Sequence, residues 1–166
     1  MFSSNHDSAI DAKGRVSIPA PFRAALGGAS FVHVWPAFDG KVCLEAGGDE
    51  LQDYYRSILA QMQPSNRARE AIAHAVFGRS VQLKMDEPGR IKIPEAMLEA
   101  AGIKKEIKFV GAVDRFRIWS PAAYEAYDAQ MVALARESME ALDAPFQAAL
   151  ESGAISGGRR VAEDRS

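Results

Sequence analysis

One stretch of this sequence occurs twice, and that repetition limits the possible folds more than any other feature of the chain. The first copy runs from Asp11 to Pro19 and the second from Asp86 to Pro94, an offset of 75 residues. An Asp, a Gly, an Arg, a β-branched residue, an Ile and a Pro stand at matching places in both copies. The offset continues without a gap as far as Asp39 and its counterpart Asp114. A repeat of this kind indicates one supersecondary unit that is used twice.

The residues of each copy predict a tight turn that leads into a short strand. Gly14 and Gly89 can adopt the positive φ that such a turn needs. Asp11 and Asp86 can accept hydrogen bonds from turn amides a few residues further on. The residues after each turn alternate between apolar and polar, which is the period of a half-buried strand. We therefore expect each repeat to consist of a turn, a strand, a short helix and two further strands.

An arginine follows the turn glycine in both copies, as Arg15 and Arg90. One interpretation is an internal pair with Asp11 or Asp86, or an ordinary solvated cation, because exposed ion pairs are common and weak. The other interpretation is that the arginine projects toward a binding partner. The same Arg at the same turn in both copies favours the second interpretation, since a repeat can keep its fold without keeping a surface charge.

The charge distribution bears on nucleic-acid binding more than the net charge does. The 166 residues carry a net charge of −2, and 48% of them are hydrophobic, as in a globular protein. From Pro121 onward there are 4 basic and 8 acidic residues, which leaves 16 basic and 14 acidic residues before that point. The body is thus slightly cationic and the tail acidic. Such a body would not hold a polyanion tightly as a monomer, but repeated copies in an oligomer could do so through effective concentration.

The sequence offers no pattern that is typical of an enzyme or a metal protein. It has one Cys, three scattered His residues and no paired carboxylate motif, so we predict no catalytic residue, no metal site, no cofactor and no small-molecule substrate. Cys43 stands between Val42 and Leu44 and is expected to be a small buried hydrophobe. Neither a signal peptide nor a membrane-spanning run is found, so we expect a soluble cytoplasmic protein that does not bind membranes.

The remaining segments are expected to be helices and a tail. Asp49 is a candidate cap for a helix that stops at Pro64, and Ser65-Asn66 starts a second one. Ser120-Pro121 predicts a further helix that ends near Asp143–Pro145. His33 is expected on a strand face without a charged partner. The predicted division of the chain is a first repeat at 8–51, a helical connector at 52–79, a second repeat at 80–123, a C-terminal helical segment at 124–151 and a disordered tail at 152–166.

Taken together, these residues resemble the MraZ family of bacterial transcriptional regulators. The resemblance covers about residues 1–125. Two features depart from it: Arg117 stands where a carboxylate is common, and the tail after residue 150 has no obvious counterpart in the family. It rests on Met1-Phe2, on Asp11-x-Lys13-Gly14-Arg15 with Pro19 and Phe22-Arg23, on Asp86-x-x-Gly89-Arg90-x-x-Ile93-Pro94, on Ala101-Gly102 and on Ile118-Trp119-Ser120.

The resemblance implies a fold and a function. The implied fold is α+β and mainly β, with two tandem AbrB-like (SpoVT-AbrB) swapped-hairpin halves that form one pseudo-two-fold barrel, plus connecting and C-terminal helices. Such chains are expected to form homo-oligomeric rings on repeated sites in double-stranded promoter DNA of the division and cell-wall gene cluster, which implies a nucleoid-associated regulator that acts as a repressor.

The same resemblance assigns roles to four basic residues. Arg15 and Arg90 inherit the DNA contact, and an Arg fork suits guanine. Lys13 better suits a phosphate, and Arg23 either contacts a phosphate or is solvated. Asp11, Gly14, Asp86 and Gly89 form the turns. The rival interpretation is a ring-forming oligomeric scaffold without sequence-specific DNA binding, which the salt dependence of DNA binding would distinguish from a regulator.

Overall fold

The computed structural model describes residues 1–155 and combines an antiparallel six-stranded sheet with several helices, which confirms the α+β class. The chain divides into two compact units, Met1–Glu125 and Ala126–Ser166, the second of which is described as far as residue 155. The strands are β1 (Asn5–Ala9), β2 (Val16–Ser17), β3 (Phe31–Pro36), β4 (Leu44–Gly47), β5 (Val81–Lys84), β6 (Arg90–Ile91), β7 (Glu106–Ala112) and β8 (Arg115–Trp119). The α-helices are α1 (Ala20–Ala25), α2 (Asp49–Gln61), α3 (Arg67–Ala73), α4 (Glu95–Ala100), α5 (Pro121–Glu137) and α6 (Asp143–Glu151).

The two repeats exchange strands within the sheet. The strand order is β1-β7-β8-β4-β3-β5, and each neighbouring pair is antiparallel. The first strand of the first repeat, β1, pairs with β7 of the second repeat, while β5 of the second repeat pairs with β3 of the first. Exchanging each strand for its counterpart in the other repeat reverses the order and leaves the pairing unchanged. The sheet therefore has a pseudo-two-fold axis between β4 and β8.

The closed barrel that the resemblance implies is not found among residues 1–155. The six-stranded sheet is open, with β1 and β5 as its two edges, and β2 pairs with β6 in a separate two-stranded ladder. That ladder joins only two residues on each side, Val16 with Ile91 and Ser17 with Arg90. Each turn leads the chain from an edge strand of the large sheet, β1 or β5, into the separate ladder of β2 and β6. Neither β1 nor β5 therefore gains a second strand neighbour in the large sheet.

The two repeats differ at the loop that joins their last two strands. In the first repeat His33 pairs with Gly47 across β3 and β4, and in the second Lys108 pairs with Trp119 across β7 and β8. The first strand of each pair keeps the 75-residue offset, but the second strand is offset by 72. The repeat is thus continuous up to this loop, and the second repeat has the tighter hairpin, with Val113 at a φ of 69°.

The main core lies between the sheet, the two-stranded ladder and the short helices α1 and α4. Its centre is an aromatic cluster in which Phe22 lies 5.6 Å from Phe2 and 5.2 Å from Phe116, measured between ring centroids. Apolar side chains of the strands, the helices and the short links between them complete it, among them Val16, Ile18, Ile91, Ile93 and Met97. A second cluster packs the connector helices onto Trp35, with Leu51, Tyr55 and Val76. Cys43 is buried, as predicted, and burial raises the pKa of its thiol to about 12.

Three polar residues, Arg115, Arg117 and His33, make contacts that the sequence did not predict. Arg117 is an internal partner of Glu45, which is only 4% exposed, with Nη2 at 3.1 Å from Oε1. Arg115 reaches the other oxygen of the same carboxylate at 3.2 Å. His33 was expected to have no charged partner, which is wrong, because its Nε2 lies 2.7 Å from Oδ1 of Asp49. Pairing across strands and between a strand and a helix brings these residues together over long sequence distances.

The helix ends are mostly those that the sequence predicts. The N-cap of α3 is Asn66, and the Oγ of Ser120 accepts a hydrogen bond from an amide in the first turn of α5. Asp49, however, is the first residue of α2, whose N-cap is Gly48. The helix that was expected to continue to Asp143–Pro145 ends at Glu137, and a 3-10 turn and α6 follow. Proline is tolerated in the first turn of a helix, so Pro145 lies inside α6.

The last part of the sequence lies mostly beyond the described residues. The predicted disordered tail at 152–166 includes residues 156–166, which are outside the described range. The boundaries proposed for the repeats and the connector stay predictions. Among residues 1–155, no helix has the length and apolar character that crossing a membrane requires.

Candidate nucleic-acid interface

The first turn is closed by the side chain of Asp11. Its Oδ1 accepts hydrogen bonds from the amides of Lys13 and Arg15, each at 2.9 Å. The amide of Gly14 donates to the Asp11 carbonyl at 3.0 Å, and Gly14 has a φ of 78°. Only glycine adopts that φ without a steric cost. Gly14 thus supplies the positive φ of the turn, and Asp11 accepts its amide hydrogen bonds.

Asp86 closes the second turn with the same geometry. Its Oδ1 accepts from the Arg90 amide at 2.7 Å, and the Gly89 amide donates to the Asp86 carbonyl at 2.9 Å. Gly89 has a φ of 86°. One hydrogen bond of the first turn has no counterpart, because Pro88 stands where Lys13 stands and has no amide hydrogen.

Each turn aspartate also binds the arginine of its own turn. The Nε of Arg15 lies 2.9 Å from Oδ2 of Asp11, and the Nε of Arg90 lies 2.8 Å from Oδ2 of Asp86. The arginine side chains remain about one-third exposed, at 30% and 32%. No hydrogen bond joins the terminal nitrogens of either guanidinium to another residue in the range 1–155. The internal pair and an outward-facing donor edge therefore exist together, so the two interpretations of these arginines do not exclude each other.

The hydrogen bonds lower the pKa of both turn carboxyl groups. The amide of Arg15 is the main cause for Asp11, and the amide of Arg90 is the main cause for Asp86. The guanidinium of the same turn adds to the effect. Both carboxylates are consequently ionised at neutral pH, and each holds its arginine by Nε in a fixed direction.

The two turns are joined into one structural element. The ladder between β2 and β6 places Ser17 opposite Arg90, and the amide of Ile18 donates to the carbonyl of Gly89 at 2.9 Å. The charge of Arg15 also contributes to lowering the pKa of Asp86, which belongs to the other repeat. The arginines of both repeats thus flank a single two-stranded ladder.

Long basic side chains from each repeat cross the turn glycine of the other. Arg23 of α1 packs over Gly89, and its Nη1 donates to the carbonyl of Ile18. A Cβ atom on Gly89 would lie 2.6 Å from the Nε of Arg23, so a side chain at this position would have to displace Arg23. Lys92 lies over Gly14, with its Cε 3.5 Å from the place of a Cβ. The sequence predicted Arg23 as a site residue but gave no sign of this packing, and it did not single out Lys92.

Among residues 1–155, no three His, Cys, Asp or Glu side chains form a group that could hold a metal ion. The neighbouring depression beside the second turn has a volume of about 330 Å³ and is lined by Arg23, Ser30, Met85, Asp86 and Glu87. The arrangement can present guanidinium and ammonium groups to an anionic partner.

The fold and the turns define a class of small proteins with two exchanged α+β repeats and paired Asp-Gly-Arg turns on one ladder. The family model described as "MraZ protein, putative antitoxin-like" matches residues 1–44 and 76–145. The chain belongs to the MraZ family.

Relatives named "Transcriptional regulator MraZ" align over most of the chain. The protein of Hyphomonas neptunium is 47% identical over 148 residues, which are 88% of this chain and 90% of the relative. That of Caulobacter vibrioides is 35% identical over 154 residues, or 92% and 98% of the two chains. That of Azorhizobium caulinodans is 36% identical over 143 residues, or 85% and 88%.

Proposed function

We propose that this protein is a transcriptional regulator that binds repeated sites in duplex promoter DNA, with the first turn as the main contact. The names of its relatives support the regulatory role. The observation that carries the DNA contact is the geometry of Arg15, whose Nε is bound by Asp11 while its terminal nitrogens have no partner among the described residues. A guanidinium held in this way is oriented before it meets a ligand.

The terminal nitrogens of Arg15 suit the major-groove edge of guanine. That edge presents O6 and N7 as adjacent acceptors, and a planar guanidinium can donate to both. The β2–β6 ladder that carries the turn is two strands wide, which is the width of a β-ribbon that the major groove admits. A single contact of this type is worth roughly 1–3 kcal/mol of discrimination against other bases.

The other basic residues contribute affinity in this proposal. Lys13 is exposed and binds a phosphate, which strengthens binding to all sequences equally. Arg90 supports Arg15 from the second turn. Arg23 acts on the protein side, because its guanidinium donates to the Ile18 carbonyl and packs over Gly89.

Selectivity for repeated sites follows from several copies of the turn acting together. We propose a homo-oligomeric ring in which neighbouring subunits each place one first turn on one site, so that modest single contacts combine through effective concentration. The edge strands β1 and β5 each have one strand neighbour in the described chain, and such edges are commonly covered by another subunit. By its family, the target is the promoter of the division and cell-wall gene cluster, where the protein acts as a nucleoid-associated repressor in the cytoplasm.

The test compares two duplexes of equal length by fluorescence anisotropy. One covers the DNA directly upstream of the protein's own coding sequence and the other is a shuffled version of it. The unchanged protein should prefer the upstream duplex, and Arg15→Ala should remove the preference with roughly a 5- to 150-fold loss of affinity for that duplex for each bound subunit. Arg90→Ala should give a smaller loss, and Lys13→Ala should weaken both duplexes alike and reduce the salt slope by about 1 for each bound subunit.

Light scattering of every variant shows whether the assembly is intact. If Arg15→Ala dissolves the oligomer or leaves the preference unchanged, Arg15 is structural and the DNA-reading role is wrong. If the unchanged protein assembles but binds both duplexes equally weakly, the oligomeric scaffold without sequence-specific binding is the correct function.

A further inference from the structure

Lys92 belongs to the second repeat but lies at the turn of the first. It follows Ile91 in the two-stranded ladder, and its Cε lies 3.5 Å from the place where a Cβ on Gly14 would be. The side chain is exposed to solvent. The matching residue of the first repeat is Ser17, so the charge occurs on one side of the pseudo-two-fold axis only.

Arg23 occupies the corresponding position over the second turn, so its contacts can be compared with those of Lys92. Both are long basic side chains that cross the turn glycine of the opposite repeat. The guanidinium of Arg23 is engaged by the protein, since Nη1 donates to the carbonyl of Ile18. Within residues 1–155, the ammonium of Lys92 has neither an ion pair nor a hydrogen bond. Arg23 is therefore bound to the protein beside the ladder, and Lys92 is available to a ligand.

We propose that Lys92 binds the phosphate backbone of duplex DNA beside Arg15, so that the first turn carries three DNA-facing cations drawn from both repeats. This inference rests on the proposed function. A lysine ammonium is a compact point charge on a flexible stem, which suits a phosphate oxygen and carries no base preference. The binding surface of the first turn is then complete only when both repeats are folded together.

The test measures the affinity of Lys92→Ala for the upstream and shuffled duplexes over a range of salt concentrations. Loss of one phosphate contact should weaken both duplexes by roughly fivefold to tenfold at about 0.1 M salt. The slope of log affinity against log salt should fall by about 1 for each subunit in contact, while the preference between the duplexes stays unchanged. Lys92→Gln keeps most of the stem without the charge and should behave in the same way.

Arg67→Ala is the matched control, because it removes another exposed cation, on α3 in the connector. It should leave both affinities and the salt slope as they are. The proposal is overturned if Lys92→Ala has the salt slope of the unchanged protein while Arg15→Ala still removes the preference. It is also overturned if Lys92→Gln binds normally and Lys92→Ala does not, since the stem would then matter through packing on Gly14. If the unchanged protein binds no duplex, the proposed function itself fails.

Discussion

The two turns share a backbone and differ in their charges. In both, an aspartate accepts from the amide of the arginine four residues later and binds its Nε, at 2.9 Å in the first turn and 2.8 Å in the second. In the first turn, Arg15 is accompanied by Lys13 and by the overlying Lys92. In the second, Arg90 is accompanied by Glu87, and Arg23 is bound to the protein.

The difference shows which part of the repeat the fold requires. The turn glycine and its aspartate recur because they close the turns that lead the chain into β2 and β6. The surrounding charges do not affect that closure, so they are free to differ between the copies. The two turns can therefore share one backbone conformation and still have different roles. In the proposed function, the first turn binds DNA and the second mainly supports it.

The largest effect that separates the turns should come from their glycines. An alanine at either position must adopt a left-handed conformation, which costs roughly 1–2 kcal/mol. Gly89→Ala must also displace Arg23 and break its hydrogen bond to Ile18, and such bonds to a charged group contribute roughly 1.5–3 kcal/mol. Urea unfolding at one protein concentration should therefore show a greater loss of stability for Gly89→Ala than for Gly14→Ala.

A double-mutant cycle identifies the cause of that difference. In a protein that already carries Arg23→Ala, the substitution Gly89→Ala should cost about as much as Gly14→Ala, because the side chain that it displaces is gone. If the two glycine substitutions lower the stability of the unchanged protein equally, Arg23 does not stabilise the second turn by packing over Gly89.

A smaller effect is expected from Glu87, a second carboxylate beside Asp86 that has no counterpart in the first turn. Glu87→Gln removes an exposed negative charge near the proposed DNA surface and should raise the affinity for both duplexes by roughly two- to fourfold at low salt. The gain should disappear at high salt, where the charge is screened. Glu70→Gln, an exposed position on α3, serves as the control and should change neither affinity. A gain for only one duplex would mean that Glu87 acts on base recognition.

The smallest difference between the turns should be their response to pH. The pKa of Asp11 and that of Asp86 are both lowered, so the stability that each contributes is present above the ordinary Asp pKa and is lost as the pH falls through the lowered value. Neither group should change the stability between about pH 6 and 8. Asp11→Asn and Asp86→Asn should each remove part of the decline below about pH 4 in urea unfolding. A turn whose Asn variant keeps the full decline would lack the amide hydrogen bonds and the ion pair that lower the pKa of its aspartate.

The sequence predicted features that depend on a few neighbouring residues. The turns, the short helices after Pro19 and Pro94, and the alternating strands all follow from residue types at close spacing, and the structure contains them. The Arg15–Asp11 pair is one of the two interpretations that the sequence leaves open, and residue spacing does not indicate that the pair forms through Nε.

Features that depend on distant residues could not be predicted in the same way. Residues 5–9 show no apolar alternation, so the sequence did not predict β1, and the structure pairs this strand with β7 of the other repeat. Arg117 reads as a surface charge until pairing of β4 with β8 brings it to Glu45. The contacts of Arg23 and Lys92 likewise join residues of opposite repeats, which are close only after the ladder has formed.

The exchange of strands between the repeats has a consequence for the order in which the chain can acquire structure. Asn5 pairs with Val110, and Phe2 hydrogen-bonds to Val113, so the N-terminal strand has no partner until almost the whole first unit has been synthesised. A nascent chain that has left the ribosome only as far as the connector would expose the edge of β1 and the rings of Phe2 and Phe22. Pairings so distant in sequence slow folding and leave apolar surface open to aggregation in the meantime. Neither repeat is therefore expected to fold when it is produced alone, and the six-stranded sheet can be completed only after β8 has been synthesised.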